Sequence, residues 1–200
     1  METPENYLTK EQFIELYKQA QLPDHRMYEA SMKEYIKLNA TRFHRILENY
    51  KADEETRKSI KELLGRNKIF VDIIAEPWCG DVAQILPVVF NMFEDVVNAE
   101  IRIFLRDSNE KLMNRYLTDG HKKSIPIIII RNQEGEECFH WGPRPGKAQE
   151  IFYKTWQETS NKDNAYRALQ NFYNQDKGKS IEKELMELFE KHRRCILKNN

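Results

Sequence analysis

The sequence predicts an α/β protein, a mostly buried central sheet with helices around it and more helices at both ends. Three observations carry that expectation. The segments "IFVDIIA" (69–75) and "IPIIII" (125–130) are apolar and β-branched, as buried strands are. From residue 69 onward the pattern reads β-α-β-α-β-β-α, two parallel units followed by a hairpin and a helix. Before residue 66 and after residue 147 the apolar residues fall at helical spacing.

Taken in order, the first segment carries a capping box at Thr9-Lys10-Glu11-Gln12, with Phe13, Leu16 and Tyr17 on one face. Leu22-Pro23-Asp24 breaks it. A second segment spaces Met27, Tyr28, Met32, Tyr35 and Ile36. A third spaces Phe43, Ile46, Leu47 and Tyr50. A fourth runs from Asp53 to Gly65, a residue suited to a helix C-cap. The strand 69–75 follows, then a helical stripe from Ile85 to Val97 with Pro87 inside it, a site for a kink. Glu100 to Arg106 alternates as a strand does, and Glu110 to Leu117 reads as a helix ended by Asp119-Gly120. After the strand 125–130, Asn132 to Gly135 forms a turn and Glu136 to Trp141 an antiparallel strand. "GPRPG" (142–146) is a stiff loop, 147–175 is largely helical, and a last amphipathic helix covers about 180–197.

The 200-residue chain has 32 basic and 32 acidic side chains and a formal net charge of zero. No charge excess points to nucleic acid or an anionic membrane, and Lys191-His192-Arg193-Arg194 fits a solvated helix face. The longest apolar run, Ile125 to Ile130, is too short to span a bilayer, and "METPENYLTK" has no apolar signal core. These features predict a cytoplasmic protein. Three cysteines, 79, 138 and 195, do not suggest a disulfide framework, and a reducing compartment would keep pairs open. Cys138 and His140 share a strand face, but no Cys-x-x-Cys or His-x-x-x-His supports a metal site. No cofactor is indicated either.

Strand, short turn, Trp78-Cys79-Gly80-Asp81, helix and a later proline opening a buried strand form the motif of interest. It resembles the active-site segment of thioredoxins. "EPWCGD", followed by "ILP" and a later "GPRP", resembles the bacterial thioredoxin-9 type family, with a single-cysteine WCGD motif. The resemblance implies a thioredoxin-like domain over residues 55–160, a helical N-terminal extension (1–54) packed on it, and a C-terminal helical extension (161–200). By position it makes Cys79 the nucleophile, Trp78 the indole before it, Asp72 the buried acid of the preceding strand, and Pro126 the cis proline facing the cysteine. Ile125, Gly80 and Arg144 complete the implied substrate side.

Two departures qualify it. Pro77 lengthens the Asp72-to-Cys79 spacing by one residue. Val82 stands where the resolving cysteine belongs, so the dithiol mechanism is lost. A thiol at a helix N-terminus is stabilised as thiolate, whereas Asp81 either caps that helix or raises the thiol pKa. Asp72, opposite Val71 and Ile73 on its strand, is either exposed or hydrogen-bonded at the strand end. Arg144 either sits over the active site or bridges strand and helix. Cys195 either folds over to resolve Cys79 or has no partner. The leading expectation is a single-cysteine thiol–disulfide oxidoreductase acting on protein or low-molecular-weight thiols and disulfides, with an external thiol as resolver. The alternative is a non-catalytic thioredoxin-fold binding module.

Overall fold

The computed structural model describes residues 6–22 and 24–198. Thr9 opens the first helix, α1 (Lys10–Gln19), through a full capping box: Gln12 N–H donates to Thr9 Oγ1 and Thr9 N–H to Gln12 Oε1. Phe13, Leu16 and Tyr17 are its buried face. The break around Leu22 to Asp24 includes Pro23, which lies outside the described residues. The second and third predicted segments are one helix, α2 (Ala30–Asn49). No Gly or Pro interrupts 30–49, and Asn39 at its middle is buried and hydrogen-bonded to backbone carbonyls of another segment. The polar Asn39 between the two apolar stripes is thus accounted for by tertiary bonding rather than by a break. α3 (Glu54–Leu64) ends at Gly65, whose positive φ of 53° closes it.

The sheet comprises β1 (Ile69–Ala75), β2 (Ala99–Leu105), β3 (Ile127–Arg131) and β4 (Glu137–Trp141), in the order β2-β1-β3-β4. β1 and β2 are parallel, but β3 runs antiparallel to β1, so the expected second parallel unit is absent and the sheet is mixed. β4 completes an antiparallel hairpin with β3. Leu8 adds a short antiparallel bridge to Ile103 on the outer edge of β2.

Between β1 and β2 lies α4 (Gly80–Met92), which starts earlier and ends earlier than its apolar stripe suggests. Asp95 takes a positive φ of 62° that breaks the helical path; Phe93 and Val96 stay buried while Val97 is 94% exposed. Every α4 residue from Asp81 to Met92 is buried. α2 packs along one side of it and α8 (Lys179–Lys191) on another. Gly178, at the start of α8, sits where a side-chain carbon would come within 2.9 Å of both Tyr50 and Val88, so only glycine fits.

The segment after β2 makes a 3-10 turn (Arg106–Ser108) and only a four-residue α5 (Glu110–Met113), shorter than predicted. The helical stretch after residue 146 is two helices, α6 (Gly146–Thr159) and α7 (Lys162–Asp176). Ser160 adopts a left-handed φ of 51°, and Asn161 then caps α7 by accepting from Asp163 and Asn164 N–H. α9 (Arg193–Ile196) follows α8. Buried residues from Phe13 to Ile196 form one continuous hydrophobic core, so the flanking helices share the core of the α/β unit. Among the described residues no helix is long and apolar enough to cross a membrane.

Candidate functional site

β1 delivers the chain to Glu76-Pro77-Trp78, and Cys79 takes an extended conformation as N-cap of α4. Cys79 N–H donates to Glu76 O at 3.1 Å, and Ala83 N–H donates to Cys79 O at 3.2 Å. The carbonyls of the turn are held by the helical extension: Asn39 Nδ2 donates to Trp78 O at 2.8 Å and to Pro77 O at 3.3 Å. The extra residue Pro77 is therefore anchored to α2. Opposite the turn, the Ile125–Pro126 peptide is cis, and Cys79 Sγ donates to Ile125 O at 3.4 Å. Val82 is buried in the core one turn along α4.

The GPRPG loop crosses this region at very close range. Gly142 has φ 133°, and a side-chain carbon there would lie 2.3 Å from Pro126 O. Its peptide with Pro143 is also cis. The loop's Arg144 points at Asp81: Nε lies 2.7 Å from Oδ2, while Tyr173 OH donates to Oδ1 at 2.8 Å. The guanidinium also stacks over Phe152 at 4.4 Å and donates to Gln149 Oε1 at 3.2 Å. Glu184 of α8 pins the loop ends, accepting from Trp141 Nε1 and Gly146 N–H.

These contacts settle two alternatives. Asp81 does not cap its own helix; its carboxylate is spent on Arg144 and Tyr173. Arg144 is a partner of Asp81, and its charge also acts on Cys79. The half-buried Cys79 thiol is pushed up to about 12, chiefly by burial and then by the Asp81 carboxylate; the Val82 and Asp81 N–H groups and Arg144 pull it down by less. Burial also raises the Asp81 carboxyl, against the opposing pull of Arg144 and Tyr173.

Trp78 lies under the Arg106 guanidinium, 4.4 Å from its ring centre, and its Nε1 is buried without an acceptor. Beside it Glu76 is buried, accepting from Tyr28 OH at 2.8 Å and Asp107 N–H at 3.0 Å, and burial raises its carboxyl. A cleft of about 260 Å³ opens next to this carboxylate, walled by Met27, Met32 and Leu105.

Cys79, Gly80, Asp81, Ile125, Pro126 and Arg144 thus converge, with Trp78 on the same turn. Asp72 does not join them. It is buried mid-strand rather than exposed or at a strand end, with Arg102 Nε at 2.6 Å from one oxygen and Arg131 Nε at 2.8 Å from the other. Arg131 continues to Tyr116 OH, which donates to Glu137. Cys195 does not reach Cys79: it is disulfide-bonded to Cys138, with Cα atoms 5.5 Å apart, which also corrects the expectation that no cysteines pair. His140 Nδ1 faces Glu137 Oε1 at 2.9 Å. Sequence reasoning missed Asn39, Tyr173, Glu76 and Glu184. All four act across long sequence separations, and only Glu76 sits in the EPWCGD motif, whose reading gave it no partner.

No curated protein matches the chain. Among solved structures, a Pseudomonas aeruginosa protein of unknown function is 13% identical, with a TM-score of 0.45, covering 84% of this chain and 96% of that one. An HIV epitope scaffold is 16% identical, with a TM-score of 0.44, covering 74% and 85%. A thioredoxin family model, thioredoxin-9, matches residues 25–162, well over half of the chain and including α2, which braces the cysteine turn; the protein belongs to this thioredoxin-like family.

Proposed function

We propose that the protein is a single-cysteine thiol–disulfide oxidoreductase with Cys79 as nucleophile. The observation that carries this reading is the unpaired Cys79 thiol facing the cis Ile125–Pro126 peptide at the mouth of a buried helix. In the reaction, the Cys79 thiol gives up its proton and its sulfur attacks one sulfur of a substrate disulfide. The substrate S–S bond breaks, a mixed disulfide forms on Cys79, and the released thiolate takes up a proton. An external thiol then attacks the mixed disulfide, which frees the second substrate half and leaves a disulfide between the external thiol and Cys79. A second external thiol restores the Cys79 thiol. Trp78, Gly80, Ile125 and Pro126 line the docking side, and Asp81 with Arg144 sets the charge behind the thiol. Asp72 supports the sheet in this reading.

The high thiol pKa dictates the rate. Raised by burial to about 12, the thiol is almost wholly protonated at neutral pH, and the greater intrinsic nucleophilicity of a basic thiolate recovers part of that loss. The groove must therefore supply the rest by orientation of the bound disulfide. The same high value favours a second reading, a docking module without turnover.

The two are separated by steady-state reduction of a peptide disulfide in the presence of an external thiol, using wild type and Cys79→Ser. The oxidoreductase predicts turnover that rises with pH and is absent in Cys79→Ser. Equal background rates for both proteins across the alkaline range support the docking module instead.

A further inference from the structure

We propose that Arg42 selects disulfides and thiols carrying a carboxylate, of low molecular weight, for reaction at Cys79. This inference rests on the monothiol reading and adds the substrate class. On α2, Tyr35, Leu38, Asn39 and Arg42 follow at spacings that share one helix face. Asn39 fixes that face against the cysteine turn through its two bonds to Pro77 O and Trp78 O. Tyr35 and Leu38, on the same helix face as Asn39, remain 64% and 49% exposed as large apolar groups.

Arg42 ends the stripe at Gly80. Its Nη1 lies 3.9 Å from the point where a side-chain carbon on Gly80 would stand. That guanidinium makes one long bond, 3.4 Å to Asn39 Oδ1, and no carboxylate among the described residues pairs with it. Burial and then the charge of another cation, Arg45, lower the Arg42 pKa. The other cations beside the turn are matched. Asp81 is met by Arg144, and Arg106 pairs with Asp107 at 2.7 Å. A half-buried fork of donors with no carboxylate partner among the described residues, beside the residue that follows Cys79, is complementary to a carboxylate. The distance along α2 from Tyr35 to Arg42, about 10 Å at 1.5 Å per residue, suits a small disulfide whose stem lies on Tyr35 and Leu38 and whose carboxylate reaches Arg42.

The chemistry is the exchange already described. The Cys79 sulfur bonds to the substrate sulfur, the substrate S–S bond breaks, and the departing half takes a proton. The carboxylate is unchanged and serves only in recognition.

Three small disulfides of similar length test the idea: dithiodipropionate (anionic), hydroxyethyl disulfide (neutral) and cystamine (cationic). The rate of Cys79 adduct formation is followed by intact mass at low and high salt, in wild type, Arg42→Gln, Arg42→Lys and Arg45→Gln. A rate advantage of about fivefold for dithiodipropionate over hydroxyethyl disulfide is expected in wild type at low salt, the size of a partly exposed ion pair. It should vanish in Arg42→Gln, persist in part in Arg42→Lys, and survive in Arg45→Gln. The neutral disulfide is the internal reference for folding and thiol reactivity. An anion-to-neutral ratio equal in wild type and Arg42→Gln overturns the inference while leaving the monothiol reading in place. No adduct with any of the three overturns both.

Discussion

Arg144 Nε lies 2.7 Å from Asp81 Oδ2, and both side chains are largely withdrawn from solvent. This pair ties the first turn of α4 to the GPRPG loop, two residues from the only unpaired cysteine among the described residues. Removing one partner leaves a charge stranded in a buried site. Arg144→Gln is expected to cost about 3 kcal/mol in urea unfolding, in the range for breaking a buried pair. It should also move the alkaline onset of Cys79 alkylation to higher pH, because Arg144 is one of the groups that lower the thiol pKa. Asp81→Asn should move that onset the other way, since the carboxylate raises it.

The same thiol links stability to pH. Its folded value, about 12, lies above the ordinary 9.0, so the folded protein holds the proton more tightly than the unfolded chain. The Cys79 contribution is whole below pH 9.0 and is lost as pH rises toward 12. Urea midpoints of wild type and Cys79→Ala measured across that window should therefore converge or cross in favour of the variant as pH increases. Parallel curves would mean the thiol is not perturbed.

Cys138–Cys195 closes a loop with a sequence separation of 57 and ties β4 to α9. Chain-entropy arguments give such a cross-link about 4 kcal/mol. Paired Cys138→Ala and Cys195→Ala replacement should lower the urea midpoint accordingly and abolish its sensitivity to reductant. A reducing compartment would open this bond, so counting free thiols in protein denatured without reductant also bears on location: one per chain is expected if the bond forms where the protein resides, and three if it does not.

Gly142 is the loop position with least freedom. Its φ of 133° and the 2.3 Å approach to Pro126 O leave no room for a methyl group. Gly142→Ala should cost about 3 kcal/mol or more and slow Cys79 adduct formation by displacing the Pro126 segment. Gly135, also at positive φ but in open space, is the control; Gly135→Ala should cost about 1 kcal/mol and leave the thiol untouched.

Much of the architecture was readable from local pattern. The strand Ile69–Ala75, the capping box at Thr9 and the convergence of Cys79 with Pro126 follow from residue spacing and from resemblance to thioredoxins. The failures share a cause. The apolar spacing reads α2 as two segments because Asn39, between the two stripes, is polar; it is buried against the distant Pro77 and Trp78 carbonyls. The Asp81 carboxylate looked like a helix cap because its partners, Arg144 and Tyr173, are 63 and 92 residues away. Asp72 was compared with the acid of a two-cysteine mechanism, yet Arg102 on the adjacent strand and Arg131 beyond it occupy both oxygens. The cysteine pair was missed because 138 and 195 are brought together only by the packing of the last helices on the hairpin. In each case the decisive partner comes from another element, which no window of sequence reveals.

The central claim is that Cys79 carries disulfide chemistry. Its most direct test is peptide-mapped mass spectrometry of the protein after incubation with a disulfide at pH 9 and then with an external thiol. The account predicts a single mixed disulfide on Cys79, released by the external thiol and absent in Cys79→Ser. An unmodified Cys79 under conditions that modify a free cysteine in an unfolded control would contradict it.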